Sequence, residues 1–255
     1  MPDSRTIRRV AAGLIVAGLA SLSPIAGARG STTAEGVMAH QNNRAQAAAA
    51  RVQPTLETDL RKRGLEFGSA VFVRIFKREK ELEVWVEGNG GRFVLFRTYP
   101  ICTYSGALGP KQRQGDNQAP EGFYRVAARQ LNPQSRFHLA FNLGYPNAYD
   151  RAHSRTGDFL MVHGSCVSIG CYAMGDDGIE QIYTLAAAAL ENGQPVFEVH
   201  AFPFRLEQDA LDEEQGSPWH AFWVELKPAY DAFEQSHKPP RVSVDGLRYT
   251  ISARP

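Results

Sequence analysis

The chain has 255 residues, of which 43% are hydrophobic and 22% charged, and its formal net charge is +1. That is enough apolar material for one or two packed domains. A charge so close to neutral argues against a nucleic acid or any other polyanion as partner.

Arg5, Arg8 and Arg9 precede a short apolar run over 10–20, and Ala26-Gly27-Ala28 closes the segment. A positive start, an apolar stretch too short to span a bilayer and an A-x-A site predict a signal peptide over residues 1–28. An uncleaved anchor is the alternative reading of the same pattern. Residues 29–55 are rich in Ala, Gln, Asn, Ser and Thr, and are expected to be a linker or loosely ordered segment, or a loosely packed helix, before a fold that starts near Leu56. Strands are expected at 70–76, 82–86 and 93–96, with Gly88-Asn89-Gly90-Gly91 as a hairpin turn. More strand signals follow at 122–127, 137–141 and 159–163, separated by turn-rich stretches such as 106–120. Asp176 and Asp177 can cap a helix in which Ile179, Ile182, Tyr183, Ala186 and Leu190 share one face. A strand over 195–202 then closes an expected catalytic-type domain of residues 56–206.

Residues 207–255 read as an extension. Ser217-Pro218 opens a helix with Trp219, Phe222, Trp223, Tyr230 and Phe233 at helical spacing, a pattern that marks core more often than a ligand site. Asp245-Gly246 between Val242/Val244 and Leu247/Tyr249 predicts a terminal hairpin. Together these elements predict a mainly β fold with peripheral helices (α+β), a sandwich or barrel-like domain.

The chemistry concentrates in 163–172. His163 stands eight residues before Cys171, and Ser168 and Gly170 bend the chain just ahead of the thiol. A thiol needs a base or a lowered pKa to attack a carbonyl, and an imidazole is the usual proton acceptor. Glycine permits a tight turn in which the Gly170 and Cys171 amides can face a developing oxyanion. Cys171, His163, Ser168 and Gly170 are therefore the candidate catalytic residues. The chain has three cysteines, so at least one is unpaired. Cys166 can pair with Cys171, pair with Cys102 or stay free. His153, His163, Cys166 and Cys171 also admit a zinc reading, although structural zinc sites use closer cysteine pairs.

The run His163-Gly164 … Ser168-Ile169-Gly170-Cys171, with 142–153 and 161–174 around it, resembles the signature of L,D-transpeptidases with a YkuD-type catalytic domain, in the YafK-like branch. The resemblance covers roughly 65–205. It implies a mostly β catalytic domain and a periplasmic or cell-wall enzyme without metal or other cofactor. Two positions and one spacing depart from the common pattern: Ile169 replaces a histidine, Ala173 replaces an Arg or Asn, and the His163–Cys171 interval is short. The expected activity is acyl transfer on peptidoglycan stem peptides at diaminopimelate, through an acyl-enzyme on Cys171. The alternatives are a hydrolase that cleaves a crosslink or releases a wall-attached lipoprotein, and a peptidoglycan-binding protein without turnover. Diaminopimelate offers carboxylates and an ammonium, so Tyr145, Arg151, His153 and Arg155 are the substrate-binding candidates, with Asp150 beside them.

Overall fold

Val-Phe-Val-Arg-Ile-Phe does not alternate, and all six residues of strand β1 (Val71–Phe76) are buried. A strand covered on both faces has this pattern. The computed structural model describes residues 43–253, all within the unit Thr32–Pro255. The expected signal segment and the expected linker up to residue 42 lie outside the described residues. β1 pairs antiparallel with β2 (Glu81–Glu87), which turns through Asn89–Gly91 into β3 (Phe93–Pro100). Gly90 and Gly91 take φ of 74° and 72° in that turn, a region open to glycine. On its other edge β1 pairs in parallel with β10 (Phe197–Phe202), which pairs antiparallel with β5 (Gly122–Val126). The first sheet thus runs β3-β2-β1-β10-β5.

The second sheet is made of short strands: β4 (Thr103–Tyr104), β6 (Leu131–Asn132), β7 (Ala140–Asn142), β8 (Met161–His163) and β9 (Tyr172–Ala173). Its order is β4-β9-β8-β7-β6, with β8 and β9 parallel. Both sheets are open, so the barrel alternative does not hold and the fold is a pair of mixed sheets with peripheral helices. One core joins them: Val73, Ile75 and Val199 of the first sheet, Phe141, Val162 and Tyr172 of the second, and Ile179, Ile182 and Tyr183 of helix α3 (Asp176–Glu191).

Of the readings of 29–55, the helix holds for its described part. α1 (Asn43–Arg61) crosses the boundary drawn near Leu56 and buries Ala45, Ala48, Leu56 and Leu60. Alanine has the highest helix propensity, and those four positions give a face that α3 covers. Two short helices, α2 (Ala148–Ala152) and α4 (Gln208–Glu213), precede α5 (His220–Ser236). The aromatic stripe of α5 is core: Phe222, Trp223, Tyr230 and Phe233 are buried, Trp219 partly so. α5 covers the face of the first sheet that carries Phe76 and Phe202. Trp223 Nε1 donates to Glu121 Oε2 at 2.8 Å, and Lys77 Nζ donates to Glu121 Oε1 at 2.9 Å. Lys77 and Glu121 are both fully buried, which their pairing makes tolerable. The terminal hairpin of β11 (Arg241–Asp245) and β12 (Arg248–Ser252) packs Val242, Val244, Tyr249 and Ile251 on the same cluster.

Candidate active site

The loop 164–171 leaves the end of β8 and returns to its beginning, because β9 runs parallel to β8 with Val162 opposite Tyr172. Cys171, one residue before β9, therefore falls beside Met161, whose N–H donates to Sγ at 3.5 Å. His163 is two residues along the same strand, on the same side of the pleat as Met161. Strand register thus puts His163 on β8 and Cys171 at the entry to the paired strand β9.

Each end of the loop has its own constraint. A Cβ on Gly164 would lie 2.7 Å from Asp176 Oδ1 and 2.8 Å from the Phe137 carbonyl, so the residue after the histidine has to be glycine. Gly170 has room for a side chain but takes φ of 135°, which only glycine adopts without strain. Between them Ser165 N–H donates to Asp176 Oδ1 at 2.7 Å. Asp176 was expected to cap α3; that position belongs to Gly175, and the carboxylate holds the loop instead.

His163 is buried, and its Nδ1 lies 2.6 Å from the Gly164 carbonyl oxygen. A carbonyl only accepts, so Nδ1 carries the hydrogen and Nε2 is left bare as a base. Burial holds its pKa below the ordinary imidazole value, against the raising effect of the Gly164 bond. Cys171 is the free thiol. Burial pushes its pKa up, opposed by the Met161 N–H and by the charge of Lys111. Its Sγ faces the Phe159 carbonyl at 3.8 Å. At neutral pH the resting pair is thus an uncharged thiol and an uncharged imidazole.

Ser168 works on the backbone. Its hydroxyl accepts from Cys171 N–H at 3.0 Å and Gly170 N–H at 3.2 Å, and donates to the Cys171 carbonyl at 2.8 Å. The two amides expected to face an oxyanion are therefore taken up by Ser168. A hydroxyl two and three residues upstream commonly closes a turn in this way. Ser105 Oγ lies 3.3 Å from Ser168 Oγ.

Cys166 is bonded to Cys102, with Cα atoms 5.5 Å apart, so it neither blocks Cys171 nor offers a thiolate to zinc. Among the described residues no group of three His, Cys, Asp or Glu is placed to hold a metal. Cys102 immediately precedes β4, and β4 pairs with β9. The disulfide ties the middle of the loop to the strand that flanks its exit.

Only one of the four substrate-binding candidates has partners near the thiol. Tyr145 is buried, and its hydroxyl donates to the Lys111 carbonyl at 3.3 Å. Arg151 is exposed and donates to the Pro146 carbonyl. His153 bonds through Nε2 to the Leu247 carbonyl at 2.8 Å, in the terminal hairpin. Arg155 is buried, pairs with Asp150 at 2.8 Å and lies over the rings of Tyr149 and Phe222. His153 and Arg155 join α2 to the C-terminal region; a polar sequence does not reveal which way its charges point.

Two residues at the site carried no usable signal. Phe137 was read as the start of a strand, yet its ring stacks on His163 with centroids 4.7 Å apart and planes at 28°. Lys111, inside the turn-rich 106–120 stretch, is buried and paired with Asp116 at 2.5 Å. Cavities of about 1000 and 340 Å³ lie against the terminal hairpin, and neither is lined by residues 163–171.

Fold and site together define a class: an open two-sheet domain that presents a lone thiol after a Ser-x-Gly turn beside a His-Gly strand end. The model of the L,D-transpeptidase catalytic domain, YkuD, matches residues 70–197, and the chain belongs to that family. It is 51% identical over 185 residues to "Putative L,D-transpeptidase YafK" of Escherichia coli strain K12, covering 72% of this chain and 75% of the relative. The protein of the same name from Escherichia coli O157:H7 matches to the same extent. Among solved structures, a mutant form of the helical cell shape determining protein Pgp2 from Campylobacter jejuni is similar at 20% identity and a TM-score of 0.44. That match covers 70% of this chain and 63% of the other. Bd1075 of Bdellovibrio bacteriovorus is similar at 21% identity and a TM-score of 0.37, over 64% of this chain and 60% of that one.

Proposed function

We propose that this protein is an exported cysteine acyl-transferase acting on peptidoglycan stem peptides at diaminopimelate. One observation carries the reading: Cys171 is free, and His163, on the strand paired with the one Cys171 precedes, has its hydrogen fixed on Nδ1, which leaves Nε2 as a proton acceptor. In the first step Sγ attacks the carbonyl of the L-centre and His163 Nε2 takes the thiol proton. The C–N bond breaks, the amine leaves with that proton, and a thioester remains on Cys171. In the second step His163 takes a proton from an acceptor amine, whose nitrogen forms the new amide and releases the thiol.

Two features support the setting. The Cys102–Cys166 bond fits an oxidising compartment, and the N-terminal sequence has the pattern of an export signal. Membership of the family supports a peptidoglycan substrate.

The test is mass spectrometry of stem-peptide fragments incubated with the protein and with Cys171→Ala. A new crosslink between two diaminopimelate residues, absent with the variant, is the expected result. Release of an amine with no new amide would assign the second step to water and make the protein a hydrolase. Binding without any covalent change in either protein would overturn the acyl-enzyme.

A further inference from the structure

The general base has one neighbour that neither the motif nor the proposed reaction uses. Phe137, 37% exposed, lies flat on the His163 imidazole. Its segment is fixed from outside the family domain. Arg44 of α1 donates through Nη1 to the carbonyls of Ser135 and His138, both at 2.7 Å, one on each side of Arg136-Phe137. His138 Nε2 lies 2.7 Å from Glu180 Oε1, and Arg51 of α1 binds the same carboxylate. Phe137 N–H donates to Ser135 Oγ at 3.0 Å. Next to it the Gly164 amide donates to the Leu139 carbonyl at 3.0 Å, which holds the 137–139 stretch against the loop. α1 ends at Arg61, before the first residue matched by the family model.

We propose that Phe137 is a positioning residue for His163: its ring holds the imidazole plane and keeps water off one face, and α1 clamps the segment that carries the ring. The inference rests on the reading of His163 as the base. His163 works only when neutral, and an apolar cover makes its charged form costlier. Without the ring, water reaches the imidazole, the charged form becomes easier and its midpoint rises. The ionisable groups around it are Cys171 in the loop, Asp176 at the start of α3, and Arg136 and His138 beside Phe137. Asp176 is held by Ser165 N–H and His138 by Glu180, so the loss of a ring leaves both pairings in place.

The experiment measures Cys171 acylation by a carbapenem across pH, and titrates the His163 ring by NMR in a Cys171→Ala background. For Phe137→Ala the expected result is a higher His163 midpoint, with acylation falling about fivefold or more at pH 6 and less than twofold at pH 8. Phe137→Tyr restores both. Arg44→Met shifts the midpoint in the same direction by less. An unmoved midpoint, or a loss equal at every pH, would overturn the proposal. The NMR arm needs no activity. If the carbapenem never labels Cys171, the acyl-enzyme fails while the titration still decides the role of Phe137.

Discussion

Cys171 and His163 are both uncharged at rest, which sets the pH behaviour of the site. In the proposed reaction protonation of His163 removes the base, and burial puts that event below the ordinary imidazole range. Acylation of Cys171 should therefore hold to a lower pH than an exposed histidine would allow, and a pH–rate profile of probe labelling checks it. His163→Ala should slow acylation by about 10²–10⁴-fold, the usual worth of a general base, with little change in melting temperature. Ser168→Ala removes the acceptor of two adjacent amides and lets the Gly170–Cys171 peptide rotate. Because small misplacements of a nucleophile are costly, roughly ten- to hundredfold slower acylation is expected, read on the same probe. At this scale the bend was legible: Gly170 was expected to permit a tight turn, and it takes φ of 135° just ahead of Cys171. The partners were not. Nothing in the sequence says that Ser168 takes the two amides, that Arg155 pairs with Asp150, or that Phe137 covers the base, since each contact depends on the path of a distant segment.

Among the elements, the loop 164–171 is the least self-sufficient. It is tied to Cys102 by the disulfide, to Ser105 by a hydroxyl and to α3 by Asp176. The disulfide closes a loop of 64 residues, for which the chain-entropy model gives about 4 kcal/mol. Reduction by a dithiol should lower the melting temperature and slow Cys171 acylation, both measurable on one sample, and unchanged kinetics would show that the loop's hydrogen bonds suffice. Hairpins β2–β3 and β11–β12 were readable because their pairing is local and their turns carry glycine. Helix α1 was legible only as one of two readings, since alanine-rich polar sequence looks the same whether or not a partner such as α3 is waiting for one of its faces. Sheet order was equally hidden: β8 and β9 are only three and two residues long, too short for any periodic signal.

Across the whole molecule, residues 207–253 add to the core: Leu211 and the buried face of α5 form one cluster with Phe76, Phe123 and Phe202. α5 seals one face of the first sheet, and Trp223 reaches through to the Lys77–Glu121 pair. Lys77 also donates to the carbonyls of Gly109 and Ala119, so the same pair anchors the 105–120 stretch near the site. Lys77→Met would leave Glu121 charged and buried, at a cost of about 3–5 kcal/mol in denaturant unfolding. The double variant Lys77→Met/Glu121→Gln should recover part of that loss. Removal of residues beyond 206 would bare Phe76, Phe202 and Phe204 and yield an aggregating chain rather than a smaller enzyme, as size-exclusion chromatography would report.

The middle of the first sheet also governs the order of events during synthesis. Phe72 of β1 meets Glu198 of β10, more than a hundred residues further on. A nascent chain can form the local meander β1-β2-β3 while the open side of β1 waits for a strand that emerges late. Until then the polypeptide has no complete first sheet, and the half-built core stays exposed to solvent for as long as the rest of the chain takes to arrive.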